Sequence, residues 1–437
     1  MIEIFGIILS LLVFISFSLF PLNIKSYQKI FYVQNNFIYD FLFLNLLINF
    51  VIMFLISFTN LNFFYYFLFV IIFSLIFNVI NYLKNTNFKF KAFKKLNFLF
   101  FIFFNLILFV YIAKNPTLSW DGVENWYYKA QNFFYNDNFF NLKDTKGFAY
   151  YPHFGTFLWG FFWKNSLLQY EYSGRLIYIF VFLLSIFSVC DLIKNKNNLK
   201  IITICVIILI CFDVFLFMGY QEVLIFSFLI FASKNLYYYL QEQKKVFLII
   251  AFVCLNFVPW IKNEGYLFLI IFNLSMLFII KQFKKKDEIL FFVLLSILML
   301  TAKQLIFLNF QDSNLLHEGK FYLPNLIEIL FFIKSLFFGF IVAIMKYKIW
   351  LFIFSSFYIF YKKINFKGEL KSLIKILQVN LILFFILVIA IYFSVINHHY
   401  YDLNWWIDNS LDRIIYQISG LFIIMIPLLI NNLKIKF

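Results

Sequence analysis

Apolar runs of about 17 to 25 residues recur from one end of this chain to the other, each long enough to cross a hydrocarbon core of roughly 30 Å. Inside such a core no water meets the peptide groups, so a run must satisfy its own N–H and C=O groups as a helix or close into a barrel. A barrel needs short segments of alternating polarity, and the sequence has none. With 64% hydrophobic and 13% charged residues and a mean hydropathy of +0.87, a soluble fold lacks the polar side chains to cover its surface. The reading is an all-α, polytopic transmembrane bundle of about 13 crossings. They fall at 4–20, 38–58, 61–82, 97–113, 174–192, 201–218, 223–240, 246–261, 266–281, 288–308, 347–361, 376–397 and 413–431. The first run has neither a basic leading region nor a small-residue cleavage site and is read as a retained helix. Cys190, Cys205, Cys211 and Cys254 lie in or beside apolar runs without CxxC spacing, which makes them helix-packing residues.

The formal charge of +16 would suit nucleic acid, but the lysines stand in short loops between hydrophobic helices, where they act as topology signals. Clusters at 84–95, 194–200, 244–245, 281–286, 362–375 and 434–436 are assigned to the cytoplasm, leaving 114–173, 219–222, 262–264, 309–323 and 397–412 on the outer face. Six of the eight tryptophans and all four histidines, His153, His317, His398 and His399, sit in those outer segments. A further crossing at 325–343 would put the cluster at 362–375 outside, so 325–345 is expected to be an interfacial or re-entrant helix, interrupted by Glu328, Lys334 and Lys346. The stretch 153–163, too short to span, is a second such helix.

Within this apolar sequence, Ser119 to Ala130 is an acidic and aromatic island where a crossing ends, with carboxylates at Asp121 and Glu124. Ionisable groups at helix mouths are costly, and several on one membrane face define a candidate site. Glu222, Lys262 with Glu264, and Asp402, Asp412 and Arg413 share that face; taken singly, each reads as a solvated anchor. Of 37 basic residues only Arg175 and Arg413 are arginine. Guanidinium is the side chain suited to bidentate phosphate recognition, so Arg413 is the candidate phosphate clamp, with interfacial snorkelling or an Asp412 ion pair as the plain alternative. Snorkelling weighs more heavily for Arg175. His398 and His399 lack a zincin partner, and no Walker A, GxGxxG or GxSxG element is present.

Four short elements in the same order resemble the C-type (GT-C) superfamily of polytopic glycosyltransferases, which includes protein O-mannosyltransferases and lipid A aminoarabinose transferases. They are Trp120-Asp121 with Trp126, Lys129-Ala130 and Tyr151-Pro152-His153; Gly219-Tyr220-Gln221-Glu222; Lys262-Asn263-Glu264-Gly265; and Asp402-Leu403, Trp405 and Ser410-Leu411-Asp412-Arg413. The resemblance runs from about 97 to 431. It implies a GT-C-like catalytic module at 97–431 with its outer loop at 114–173, preceded by helices of unassigned role at 1–96 and followed by a cytoplasmic tail at 432–437.

The implied activity is transfer of a sugar from a polyprenyl-phosphate donor to a glycan, lipid or protein acceptor of the cell envelope, at the outer face of a bacterial cytoplasmic membrane. Asp121 would be the base and the reaction inverting; Arg413 and Lys262 would meet the phosphate. Glu222 and Glu264 would orient a lysine or a sugar hydroxyl, while Glu124, Lys129, Tyr151, His153 and Asp402 complete the substrate-binding set. Asp121, Glu222, Lys262 and Arg413 are expected to meet in one outer cavity. The cofactor is left open: Asp121 and Glu222 with His153 suit Mg or Mn, although their spacing does not demand a metal. The rival readings are an O-antigen polymerase or ligase, which relies on arginines scarce here, and a lipid or glycan transporter, which calls for internal symmetry and broken helices. The topology has a direct check. A cysteine at position 140 should react with a membrane-impermeant maleimide added outside intact cells, and labelling only from the cytoplasmic side would reverse it.

Overall fold

The computed structural model describes residues 2–21, 38–83, 96–135, 138–144, 151–193, 197–213, 217–308, 326–363, 368–395, 405 and 407–432. Among these, every regular element is helical. Nine described stretches are long and apolar enough to cross a membrane, the make-up of a multi-pass membrane protein. Their ends follow the apolar runs: the readings 38–58, 61–82, 97–113 and 223–240 become helices Ile38–Ile56, Phe63–Leu83, Leu96–Lys114 and Glu222–Glu242. The expected interfacial segment at 325–345 is the continuous helix Leu326–Lys346, whose window 329–346 has the length and apolarity of a span. Apolar length governs a helix regardless of which loop its flanking lysines occupy. Expected crossings at 201–218 and 413–431 take the form Asn197–Cys211 and a broken pair, Asp412–Phe422 and Met425–Asn432.

Contacts divide the chain into two units, residues 1–227 with 260–262, and residues 228–259 with 263–437. In the first unit the long helices are α1 (Ile2–Phe17), α2 (Ile38–Ile56), α3 (Phe63–Leu83) and α4 (Leu96–Lys114). A π turn (Gly122–Tyr127) then leads into the short helix α5 (Tyr128–Phe134), and a 3-10 turn (Phe139–Asp144) precedes α6 (Phe154–Lys164). Helix α7 (Glu171–Cys190) and α8 (Asn197–Cys211) follow, and α9 (Glu222–Glu242) begins in this unit. Helix α7 is the centre, packed by α1, α2, α4, α6 and α8 and wholly buried across its span. The expected short helix at 153–163 exists as α6, buried throughout except at Lys164.

Phenylalanine supplies the packing. Phe14 meets Phe109, Phe162 and Phe180, with T-shaped contacts at 5.9 and 5.1 Å and a tilted one at 5.5 Å, which ties α1 to α4, α6 and α7. One polar residue closes the end of α1, where the last carbonyls have no helical donor. The buried Asn49 amide donates to Phe17 O at 2.7 Å, Phe20 O at 2.8 Å and Asn45 O at 3.0 Å. Its Oδ1 accepts from the Tyr66 hydroxyl at 2.6 Å, so one side chain joins α1, α2 and α3.

The second unit holds the rest of α9 and most of α10 (Lys245–Ile261), then α11 (Gly265–Phe278), α12 (Lys286–Leu308), α13 (Leu326–Lys346), α14 (Ile349–Lys363) and α15 (Gly368–Val395). A second π turn (Ile407–Leu411) enters α16 (Asp412–Phe422), followed by α17 (Met425–Asn432). Within this unit α11 packs on α15 and α12, α13 on α16, and α14 on α17. Cys190, Cys211 and Cys254 are buried and Cys205 half-buried.

Asn49→Leu removes the joint at the end of α1 while keeping bulk. It should cost about 1–3 kcal/mol, the penalty of carbonyls left without donors, read as a lowered unfolding midpoint of the purified protein.

Candidate functional site

The two segments that lead to Asp121 and Glu222 are held by one buried cation. Arg175 lies in the first turn of α7 and is 1% exposed. Its Nε and Nη2 donate to both Glu171 carboxylate oxygens at 2.8 Å, a bidentate i, i+4 pair. The remaining donors reach Pro116 O at 2.7 Å, Thr117 O at 3.4 Å and Phe217 O at 3.1 Å, and the guanidinium lies over the Trp159 ring. The chain entering the acidic island and the chain entering Gly219–Glu222 are thus held by the same group. Arg175 is neither a snorkelling anchor nor surface-exposed.

Just beyond the clamp the two segments touch. Ser119 donates from its backbone N–H and its hydroxyl to Met218 O at 2.9 and 3.1 Å, and its Oγ accepts from Gly122 N–H at 3.0 Å. Gly219 has φ +87°, a region closed to most side chains, and a Cβ there would stand 3.0 Å from the Gly122 Cα. This close approach sets Asp121, half-buried at the head of the π turn, beside the strand of chain that ends in Glu222. Glu222, wholly buried as the first residue of α9, accepts from Lys262 Nζ at 2.7 Å; Lys262 is 5% exposed. Asp121, Glu222 and Lys262 lie in the first unit, where Glu222 and Lys262 form a buried ion pair, and Arg413 lies in the second.

Lys129 and Tyr151 also come together. Lys129 is fully buried in α5, donates to Tyr151 O at 2.9 Å, and lies 5.6 and 5.7 Å from the ring centroids of Trp126 and Tyr151. Glu124 and Trp120 point outward, Trp120 being 72% exposed. Tyr127 stacks near Trp163 and Trp159; burial, reinforced by the Glu171 carboxylate, pushes its phenol up.

His153 is buried within Phe139, Phe58, Trp260, Phe54 and Phe133, at 4.3 to 6.0 Å between centroids. Its Nε2 lies 3.0 Å from Ser57 Oγ, and the Ser57 hydroxyl donates to Phe54 O at 2.7 Å. With that proton committed, Nε2 is the donor to Ser57, which rules out His153 as a base for Ser57. Ser57 O also accepts from Phe139 N–H at 2.8 Å. The pair fastens loop 114–173 to the end of α2, which gives the N-terminal helices a definite place. Trp260 in this cage places the chain two residues before Lys262. Among the described residues no group of three or more His, Cys, Asp or Glu is arranged for a metal.

The second unit carries Glu264, Asp412 and Arg413, all within electrostatic reach of Tyr392, whose hydroxyl shares a 2.5 Å hydrogen bond with Ser410. Asp412 pairs with Lys346 instead of its neighbour, and Arg413 Nε donates to Asn409 O at 2.8 Å. Asp402, His317, His398 and His399 lie outside the described residues. Sequence reading missed Lys303, 1% exposed in α12, which donates to Pro259 O at 2.5 Å and sits 3.9 Å from the Tyr266 centroid. A lone lysine inside an apolar span was its signal. It also missed the Glu171–Arg175 clamp, visible as an i, i+4 pair opening α7.

Comparison of the chain with protein-family models, with curated proteins and with solved structures finds no match.

Removing one partner of a buried ion pair leaves the other charge stranded. Lys262→Met should cost about 3–5 kcal/mol, and the double variant Glu222→Leu with Lys262→Met should recover most of that, as measured by denaturation of all three proteins.

Proposed function

We propose that the chain is an integral-membrane glycosyltransferase that moves a sugar from a polyprenyl-phosphate-linked donor to a cell-envelope acceptor on the outer face of a bacterial cytoplasmic membrane. The observation that carries the reading is the contact of Ser119–Gly122 with Met218–Gly219, which joins the segment carrying the half-buried Asp121 to the segment that leads into the buried Glu222–Lys262 pair. The four short elements that resemble the GT-C superfamily add the substrate class.

In this reading Asp121 accepts the proton of the acceptor hydroxyl as its oxygen bonds to the anomeric carbon. The bond from that carbon to the phosphate oxygen breaks, and its electron pair leaves with the polyprenyl phosphate. A single displacement of this kind inverts the anomeric centre. The proton moves to a group held within reach and the departing charge meets a cation, the two contributions such a transfer asks of a protein. Lys262 is that cation in the first unit, aimed by Glu222 at 2.7 Å. Tyr151, half-buried and braced by Lys129, offers an aromatic face for a sugar ring.

Asp121→Asn preserves shape and removes the base. It should lower transfer of radiolabelled sugar from a polyprenyl-phosphate donor by about 100-fold or more in membranes, within the usual range for a general base. Unchanged transfer would end the assignment.

A further inference from the structure

The side chain just before Glu222 has no task in the fold. Gln221 is 0% exposed, and neither Oε1 nor Nε2 has a hydrogen-bond partner among the described residues. Its backbone carbonyl accepts from Leu224 N–H at 3.1 Å and Ile225 N–H at 3.4 Å, starting α9. The carboxamide is unemployed. The fold nevertheless makes room for it, since a Cβ at Gly155 in α6 would overlap Gln221 Oε1. The Gly155 carbonyl is itself anchored by the Tyr178 hydroxyl at 2.8 Å, so this wall is fixed. A buried amide left unpaired is destabilising, and a leucine or methionine of similar bulk would avoid that cost. Packing does not explain the residue type.

We infer that the Gln221 carboxamide reads hydroxyl groups of the sugar on the lipid-linked donor. A carboxamide donates through Nε2 and accepts through Oε1, which matches a hydroxyl that does both. Being neutral, it suits an uncharged hydroxylated ring; a phosphate calls for a cation. Its place in the chain, between Gly219 and the Lys262-bound Glu222, sets it beside the segment that approaches Asp121. Gln221 is thus a specificity residue. A site built to hydrogen-bond a hydroxyl rejects a ligand lacking it far more sharply than an apolar wall does. This inference rests on the glycosyltransferase reading above.

The full-length protein in lipid nanodiscs is titrated with polyprenyl phosphate and with polyprenyl-phosphate mannose, glucose and galactose. The wild type should bind at least one sugar-bearing lipid at least about tenfold more tightly than bare polyprenyl phosphate, the size of one good hydrogen-bonded contact. Gln221→Leu and Gln221→Met should erase that preference, leave affinity for bare polyprenyl phosphate unchanged, and keep or raise the unfolding temperature. Gly155→Ala, which pushes the amide aside, should give the same loss. Retained preference in both Gln221 variants overturns the role of Gln221 and leaves the glycosyltransferase reading standing. A wild type that never favours a sugar-bearing lipid overturns both.

Discussion

A single guanidinium in the first turn of α7 accounts for much of the first unit. Arg175 engages a carboxylate and three carbonyls from two other stretches of chain, all at 1% exposure. Lysine has neither the planar fork nor the donor count to do this. Because Pro116–Thr117 and Phe217 converge on the same cation, the segments that continue from them, Ser119–Asp121 and Gly219–Glu222, emerge side by side. Everything local to the candidate site follows from that: the Ser119–Met218 bonds, the Gly122–Gly219 approach, and the head of α9. The presence of arginine and not lysine at position 175 has its physical reason here.

Buried polar groups in this unit fall into two kinds. One kind acts as a fastener: Asn49 at the end of α1, Ser57 with His153, Lys129 with Tyr151. Each ties a loop or a helix end to a neighbouring helix, at places where backbone groups would otherwise lack partners. The Glu222–Lys262 pair is different, because a buried ion pair contributes little net stability against apolar residues of the same bulk. Its retention is better explained by what it orients. Gln221, one residue earlier, belongs with it.

Helix existence was legible because the physics is one-dimensional: a run of apolar residues of membrane length must be a helix wherever it stands. Thus 38–58 and 223–240 are recovered almost to the residue. Loop charge led 325–345 to be read as an interfacial or re-entrant helix, and the segment is a 21-residue helix whose window 329–346 also has the length and apolarity of a span. At the site, Asp121, Glu222 and Lys262 were legible as charges at helix mouths. Arg175 was noticed for its rarity but not for its work, since what it holds are carbonyls 42, 58 and 59 residues away, which no sequence pattern marks. His153 was legible as a polar residue of the outer loop, but its aromatic cage was not, because it draws on residues as distant as Phe54 and Trp260.

The π turn Gly122–Tyr127 lies between Asp121, a half-buried carboxylate, and the fully buried Lys129. A π turn closes i to i+5 where an α turn closes i to i+4, so it accommodates an added residue without breaking the helix. The spacing between these two charges is therefore a property of the turn and not of the chemistry. A chain that reached the same placement on an unbroken α-helix would carry one residue fewer between its carboxylate and its lysine, so fixed-interval motifs drawn across this segment would miss an equivalent site.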